Sequence, residues 1–254
     1  MIKRRVLFID SALPEEVEDA LKKGFQGVTT NPSLVAKAPK GDSQIPFMDR
    51  YIDHMKILVD ICRKYPTNDN GLSSLPSLSV EVFSLEPDEM IKQAREIKEK
   101  LSYPNLAIKI PISYKETDYL NVIRVLSQEG FQVNATCGFS EGQLMLAAQA
   151  GARFVSLFYN RLIDYFNKNV NSQGIGQERA LEIINNTREY LDGNDFNCEI
   201  IFASIRNSFD ITNGWINGAD IITAGSKTIP NLIFHPKTDS SVEGFEKDLN
   251  EWMK

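Results

Sequence analysis

The stretch Asn105-Leu106-Ala107-Ile108-Lys109-Ile110-Pro111-Ile112 is a short run of aliphatic residues interrupted by one cation. A run of this length predicts a strand that is buried on both faces, as in parallel sheets. It is followed by a helical pattern at Asp118–Glu129, where apolar residues recur every three residues. A buried strand followed by an amphipathic helix is the repeating unit of α/β folds.

The same unit recurs along the chain, with eight candidate strands separated by helical patterns. The strands are Val6–Asp10, Gly27–Thr30, Leu78–Phe83, Leu106–Ile110, Gln132–Cys137, Phe154–Phe158, Glu199–Ile205 and Asp220–Thr223. Eight such units in 254 residues match the usual size of a (β/α)8 barrel, whereas an open doubly wound sheet usually has fewer strands. The sequence therefore predicts an α/β protein, a single-domain (β/α)8 TIM barrel that covers residues 1–254.

Three segments do not follow the alternation. Ala38–Pro46 and Pro66–Pro76 are rich in Gly, Pro, Ser and Asn, which favours loops over domain boundaries. The third segment, Ser240–Met253, has large apolar residues at helical spacing, and we expect a helix that packs on the barrel. Those apolar residues are Val242, Phe245, Leu249 and Trp252.

The overall charge and the cysteine count exclude several classes of protein. Lys and Arg number 28 against 34 for Asp and Glu, and the net charge of -6 argues against nucleic-acid or membrane partners. No apolar run has the length of a signal peptide or a membrane span, so we expect a cytoplasmic protein. Cys62, Cys137 and Cys198 are odd in number and widely spaced, which fits a reducing compartment. The ligand spacing of a metal site is absent, and any anionic ligand must be held by local cations.

Lys109 is the residue in the buried strand that points to chemistry. An ammonium group removed from water without a partner tends to lose its proton, and a neutral amine is the nucleophile of Schiff-base enzymes. The alternative is a lysine that caps an edge strand and extends its ammonium into water.

Polar residues near the carboxyl ends of the other strands favour the first interpretation. Side chains two residues apart share one face of a strand, and barrels build active sites at the carboxyl ends of their strands. Such pairs, in which the polar residues lie toward the carboxyl end, are Phe8 with Asp10, Thr29 with Asn31, Ser79 with Glu81, Asn134 with Thr136, Ser156 with Phe158 and Ser204 with Arg206.

Seven sequence blocks, in this order along the chain, together resemble the transaldolase family. They are Phe8-Ile9-Asp10-Ser11-Ala12, Gly27-Val28-Thr29-Thr30-Asn31-Pro32-Ser33, Ser79-Val80-Glu81-Val82, Ile108-Lys109-Ile110-Pro111, Val133-Asn134-Ala135-Thr136, Ala150-Gly151-Ala152-Arg153-Phe154-Val155-Ser156-Leu157-Phe158-Tyr159-Asn160-Arg161 and Ala203-Ser204-Ile205-Arg206-Asn207. The blocks reach from the first predicted strand to the seventh. The resemblance implies a class I aldolase-type barrel that transfers a dihydroxyacetone unit between sugar phosphates in the pentose phosphate pathway, without a metal or an organic cofactor.

The resemblance also implies a role for each matched residue. Lys109 would form the Schiff base, Asp10 would take the proton whose loss breaks the carbon bond, and Glu81 with Thr136 would hold the water that carries protons. The remaining matched residues would bind the substrate. Those that orient hydroxyl groups are Thr29, Asn31, Asn134 and Ser156; Phe158 lies beside them; and Arg161, Ser204 and Arg206 would hold the phosphate.

Two residues indicate a branch of the family. True transaldolases resemble this chain in having glutamate at Glu81 and phenylalanine at Phe158, whereas the fructose 6-phosphate aldolases typically have glutamine and tyrosine. A glutamine cannot accept a proton as a carboxylate can, so the sequence favours a transferase. Two alternatives stay open: an aldolase that releases free dihydroxyacetone, and a catalytically silent barrel that binds sugar phosphates. A homo-oligomer is compatible with either.

Overall fold

The computed structural model describes residues 5–39, 41–69, 72–169 and 175–254. Eight parallel strands of these residues close into a barrel, as the sequence predicts. They are β1 (Val6–Asp10), β2 (Gly27–Thr29), β5 (Ser77–Glu81), β6 (Leu106–Pro111), β9 (Gln132–Gly138), β10 (Phe154–Phe158), β11 (Glu199–Ala203) and β12 (Ile221–Ala224). Around the barrel the order is β1, β12, β11, β10, β9, β6, β5 and β2, which returns to β1.

Helices connect the strands and cover the outside of the barrel. They are α1 (Pro14–Lys22), α2 (Pro32–Val35), α3 (Phe47–Lys64), α4 (Pro87–Leu101), α5 (Leu120–Gln128), α6 (Glu141–Gln149), α7 (Tyr159–Asn169), α8 (Ile175–Gly193), α9 (Ser208–Ile216), α10 (Pro230–Ile233) and α11 (Pro236–Trp252), with a 3₁₀ turn at Ser226–Thr228. Several begin with proline, whose fixed φ suits a first helical turn. Within the described ranges, no helix combines the length and hydropathy that a bilayer crossing needs.

The segment Pro66–Pro76 differs from the loop that its composition predicts. It contains an antiparallel hairpin of β3 (Thr67–Asp69) and β4 (Leu72–Ser74), in which the Thr67 hydroxyl donates to the Ser74 carbonyl at 3.0 Å. The sequence between the two strands is Asn-Gly, the pair that most strongly favours a two-residue hairpin turn, and those two residues lie outside the described ranges. A second small hairpin, β7 (Ser113–Tyr114) with β8 (Thr117–Asp118), precedes α5 and shortens the predicted helix.

The predicted loop at 38–46 has no helix or strand up to Pro46 in its described part, and Lys40 lies outside the described residues.

The apolar core has two layers because side chains alternate across each strand. The larger layer lies between the strands and the helices, and the smaller one fills the barrel. The inner layer consists of Val6, Phe8, Ala107, Phe154, Ile201, Ala203 and Ile221. Gly27 makes room for Phe8, since a Cβ atom at Gly27 would lie 2.6 Å from the Phe8 ring. Asp10 and Lys109 come two residues after Phe8 and Ala107, so they share the inward face near the carboxyl end of the barrel.

The C-terminal helix α11 leaves its apolar residues exposed. Val242, Phe245, Leu249 and Trp252 are 57%, 71%, 55% and 85% exposed. Within the described chain, no residue of α11 is buried. The predicted helix is therefore present, whereas the predicted packing of its apolar face on the barrel is absent from the described residues of the single chain.

Candidate active site

A cavity of about 220 Å³ opens at the carboxyl ends of the barrel strands. All of the predicted site residues line it except Glu81 and Arg206. The predicted residues in its wall are Asp10, Thr29, Asn31, Lys109, Asn134, Thr136, Ser156, Phe158, Arg161 and Ser204. Residues in its wall that the sequence did not single out are Ser33, Leu34, Lys37, Ile201, Ala203 and Thr223.

Lys109 lies on the floor of this cavity and is only 5% exposed. Its Nζ donates to the Thr30 carbonyl at 2.6 Å and lies 3.2 Å from Oε2 of Glu81. Glu81 and Lys109 are register partners on the adjacent strands β5 and β6, which brings the two charges side by side. The alternative in which Lys109 extends into water is therefore wrong. Glu81 does not line the cavity, and its contact with the site is the ion pair with Lys109.

Asp10 lines the same cavity as Lys109, and the two charges interact. The Thr29 hydroxyl donates to Oδ1 of Asp10 at 2.7 Å, and the two residues are register partners on β1 and β2. Burial raises the pKa of Asp10, while the positive charge of Lys109 and the Thr29 hydrogen bond act to lower it. A carboxylate held near an amine, with a pKa raised by burial, is suited to accept a proton.

Hydroxyl and amide groups line the wall next to Lys109. The Ser156 hydroxyl donates to Oδ1 of Asn134 at 2.7 Å, and Nδ2 of Asn134 donates to the Ser79 hydroxyl at 3.3 Å. Oγ1 of Thr136 is buried and makes no hydrogen bond with the described part of the protein. A buried hydroxyl in a cavity wall is free to bind a ligand or a water molecule.

The two predicted phosphate-binding arginines have different surroundings. The guanidinium of Arg161 stands over the Phe158 ring, 5.3 Å from its centroid, in the cavity wall. Arg206 is paired with Asp164, its Nη1 donating to Oδ1 at 2.8 Å and its Nη2 to Oδ2. This ion pair is exposed and lies outside the cavity wall. The structure therefore brings Arg161 into the site and places Arg206 beside it.

Several hydrogen bonds hold the turn that carries Ser204. Ser204 has φ +64°, a left-handed conformation that is uncommon for a residue with a side chain. Nδ2 of Asn160 donates both to the Ser204 carbonyl at 2.8 Å and to Asp210 at 2.7 Å. Asp210 also accepts from the backbone N–H of Arg206 at 3.0 Å and caps α9 with Asn207. These bonds hold the backbone of the turn around Ser204.

A second, larger cavity lies at the amino ends of the strands. Its wall includes polar residues at strand starts, and two of its charged residues, Arg153 and Glu199, pair with each other at 2.9 Å. Barrel enzymes place their chemistry at the carboxyl ends of the strands, where this structure has Lys109 and Asp10. We therefore assign the candidate active site to the smaller cavity.

Ser33, Lys37 and Thr223 are the polar wall residues to which the sequence analysis gave no role. Thr223 belongs to β12, and its hydroxyl hydrogen-bonds the Thr29 hydroxyl at 2.5 Å. Thr223 is the last residue of the predicted strand Asp220–Thr223. Its position at a strand end could therefore have identified it as a site residue. Lys37 follows the short helix α2. The only sequence signal for it was a cation that comes soon after the end of β2.

Comparison with known proteins agrees with this geometry. The family model described as Transaldolase/Fructose-6-phosphate aldolase matches residues 7–254. The chain belongs to this family. A probable transaldolase of Alkaliphilus metalliredigens is 35% identical over 98% of this chain and 99% of its own. A probable transaldolase 1 of Bacillus cereus is 35% identical over 97% of each chain, and a probable transaldolase of Thermodesulfovibrio yellowstonii is 36% identical over 97% of this chain and 99% of its own.

A solved structure extends the comparison to the fold alone. The thiamine phosphate pyrophosphorylase from Pyrococcus furiosus superposes with a TM-score of 0.54 at 13% identity, over 87% of this chain and 85% of its own. Among the described residues of this transaldolase-family barrel, no group of three or more His, Cys, Asp and Glu side chains is arranged to hold a metal ion.

Proposed function

We propose that this protein is a transaldolase, which transfers a dihydroxyacetone unit from a ketose phosphate to an aldose phosphate through a Schiff base on Lys109. The observation that carries the proposal is the buried amine of Lys109, 3.2 Å from the Glu81 carboxylate, on the floor of a cavity that also contains Asp10. The pentose phosphate pathway is where such a reaction belongs.

The first half of the reaction forms the imine. Glu81 takes the proton from the Lys109 ammonium, and the free amine attacks the C2 carbonyl of the ketose. Loss of the carbinolamine hydroxyl as water leaves an iminium ion. In this proposal the Thr136 hydroxyl, which makes no hydrogen bond with the described residues, and the Glu81 carboxylate hold this water and move its protons.

The second half breaks and remakes a carbon–carbon bond. Asp10 takes the proton from the C4 hydroxyl, the C3–C4 bond breaks, and its electron pair moves into the iminium ion to give an enamine. An aldose phosphate leaves and another aldehyde enters. The enamine attacks that aldehyde, Asp10 returns the proton to the new hydroxyl, and hydrolysis of the imine releases the product ketose.

Transfer is favoured over release of free dihydroxyacetone by two residues. Glu81 supplies a carboxylate to the water that serves the imine. Phe158 lines the cavity with a ring that has no acidic hydroxyl to protonate the enamine carbon. The enamine therefore persists until an aldehyde acceptor enters the cavity.

The experiment is a transfer assay joined to covalent trapping. Sedoheptulose 7-phosphate is the donor and glyceraldehyde 3-phosphate the acceptor, and fructose 6-phosphate formation is measured against free dihydroxyacetone. Borohydride should trap a three-carbon unit on Lys109 in the absence of acceptor. Dihydroxyacetone release as fast as transfer would favour the aldolase, and the absence of any trapped ketose would favour a silent sugar-phosphate-binding barrel.

The ligands that we propose are sugar phosphates, with neither nucleic acid nor membrane as a partner. The net charge of -6 supports this proposal, since a polyanion would be repelled from most of the surface. We also propose a cytoplasmic location. The three cysteines are unpaired, and two of them are buried, which fits a reducing compartment.

We further propose that residues 1–254 form one domain and that the chain assembles as a homo-oligomer. The C-terminal helix α11 supports this, because four large apolar side chains on one face are more than half exposed. In the oligomer this helix packs on the barrel of a second copy. Light scattering should show a multimer, and Phe245→Ser with Trp252→Ser should shift it toward the monomer without loss of helical circular dichroism. A monomeric wild-type protein would refute the assembly.

A further inference from the structure

Two oxygen atoms from neighbouring strands hold the amine of Lys109. One belongs to the carboxylate of Glu81, the last residue of β5, at 3.2 Å. The other is the carbonyl of Thr30, directly after β2, to which Nζ donates at 2.6 Å. Both residues lie where the parallel pairing of β2 with β5 ends. The surroundings of the amine therefore depend on how that pairing ends.

The hydrogen bonds between β2 and β5 follow a regular pattern up to this point. The Ser77 N–H donates to the Gln26 carbonyl at 3.1 Å, and farther along the Thr30 N–H donates to the Ser79 carbonyl at 3.0 Å. Alternate residues of a parallel strand bond to the same neighbour, so the pattern advances by two residues on each strand. Glu81 is the next residue of β5 whose N–H and carbonyl face the β2 side.

Glu81 does not have the partners that this pattern predicts. Its N–H would donate to the Thr30 carbonyl, and its own carbonyl would accept from the N–H of residue 32. Residue 32 is Pro32, which begins α2 and has no N–H. The Thr30 carbonyl accepts from Lys109 instead. Both backbone groups of Glu81 on this side thus need a partner from outside the ladder.

A phenol from outside the barrel supplies that partner. Tyr51 lies on α3, and its hydroxyl donates to the Glu81 carbonyl at 3.2 Å and accepts from the Glu81 N–H at 3.3 Å. The residue is 3% exposed, and its ring packs edge-on against Phe83 with 4.4 Å between the centroids. Burial raises the pKa of the Tyr51 phenol, so the hydroxyl keeps its proton and stays a donor across the pH range of enzyme assays.

We propose, resting on the transaldolase function, that Tyr51 is a positioning residue that holds Glu81 beside Lys109 and leaves the Thr30 carbonyl to the amine. Tyr51 does not line the cavity, so it acts on the reaction through the backbone of Glu81. Without its hydroxyl, the acceptor that the ladder offers to the Glu81 N–H is the Thr30 carbonyl, in competition with Lys109. The Glu81 carboxylate would follow its backbone and leave the geometry in which it takes the lysine proton.

The test removes the Tyr51 hydroxyl and measures imine formation. Tyr51→Phe should slow single-turnover borohydride trapping of fructose 6-phosphate on Lys109 by roughly 3- to 30-fold, the range for one or two hydrogen bonds. The affinity for D-glucitol 6-phosphate, which has no carbonyl and forms no imine, should not change. That combination separates a misplaced Glu81 from a damaged cavity.

Tyr103→Phe is the matched control. Tyr103 is 5% exposed, and its phenol donates to the Pro76 carbonyl at 2.6 Å, next to the amino end of β5 and away from Glu81. This variant should lower the urea midpoint about as much as Tyr51→Phe and leave the trapping rate unchanged. An equal loss of trapping in the two variants would give Tyr51 a purely structural role and overturn the proposal.

A double mutant tests whether Tyr51 acts through Glu81. In the Glu81→Gln background, Tyr51→Phe should lose most of its effect on trapping, because the carboxylate that it positions is already gone. Rate losses that multiply in full would show that Tyr51 acts independently of Glu81, against the proposal.

Amide hydrogen exchange tests the contact without any turnover. Tyr51→Phe frees the Glu81 N–H, which should exchange faster than in the wild type or in Tyr103→Phe, and unchanged exchange would overturn the proposal. If Tyr51→Phe does not fold, Phe83→Leu loosens the same ring and should show faster Glu81 exchange with slower trapping. Wild-type values for both would then overturn the proposal. Faster exchange together with no trapping in the wild type would refute the transaldolase function alone.

Discussion

The amine of Lys109 lies 3.2 Å from the carboxylate of Glu81, and the two residues are register partners on neighbouring barrel strands. The pair is nearly buried, with the side chains 6% and 15% exposed. Because water is largely excluded, this carboxylate is the group best placed to take the lysine proton before the amine attacks a carbonyl. The pair thus links the fold of the barrel to the first step of its chemistry.

Glu81→Gln should slow imine formation by about 10²- to 10⁴-fold, the usual contribution of a placed general base. The amide cannot accept the Lys109 proton, although its size is unchanged. Single-turnover borohydride trapping with fructose 6-phosphate would measure the rate. Glu99→Gln, the same change on the exposed side of α4, is the control. A trapping rate in Glu81→Gln equal to that of the control would remove Glu81 from the mechanism.

The acid limb of the pH profile should depend on the hydrogen bond between Thr29 and Asp10. Burial raises the pKa of Asp10, and the Thr29 hydroxyl bond lowers it. Thr29→Val should therefore raise this pKa further. The Asp10 carboxylate then becomes protonated, and is lost as a base, at a higher pH than in the wild type. The acid limb of kcat/KM should move to higher pH. Thr29→Ser keeps a hydroxyl and should leave the limb in place; a limb that moves equally in both variants would contradict the assignment.

Phe158→Tyr should increase the release of free dihydroxyacetone relative to transfer. The new phenol would stand in the cavity wall and could protonate the enamine carbon, after which the imine is hydrolysed. The ratio of dihydroxyacetone to fructose 6-phosphate, formed from sedoheptulose 7-phosphate and glyceraldehyde 3-phosphate, is the measurement. Phe139→Tyr adds the same phenol to a ring that packs on Phe158 at 5.9 Å outside the cavity wall, and it should leave the ratio unchanged.

Gly27→Ala should destabilise the barrel. The added methyl would lie 2.6 Å from the Phe8 ring, and overpacking of a filled core costs about 1–3 kcal/mol. Urea denaturation would measure the free energy of unfolding. Gly142→Ala is the matched change in α6, where nothing lies within 4 Å of the added atom, and it should stabilise the protein by roughly 0.5–1 kcal/mol. Equal effects at the two positions would show that Phe8 is free to move.

The barrel was predictable because its signal is local. Strands buried on both faces appear as apolar runs, and Val6–Asp10 and Phe154–Phe158 begin and end in the structure where the sequence places them. The hairpin of β3 and β4 was missed because its composition resembles that of a loop, although Asn70-Gly71 was a usable hairpin signal. Confirmation of the family rests on residues 7–254 as a whole, since each motif is weak by itself.

What the sequence by itself determined is the alternation of strands and helices, and the side of each strand that carries polar residues. Only the tertiary structure decided which charges meet. Asp164 is 42 residues from Arg206 and engages it outside the cavity, while Lys37 and Arg161 enter from opposite walls. Periodicity follows from the geometry of a single strand or helix, whereas an ion pair depends on the closure of the barrel and on how the loops above it fold. The partner of Arg206 was therefore outside the reach of local sequence patterns.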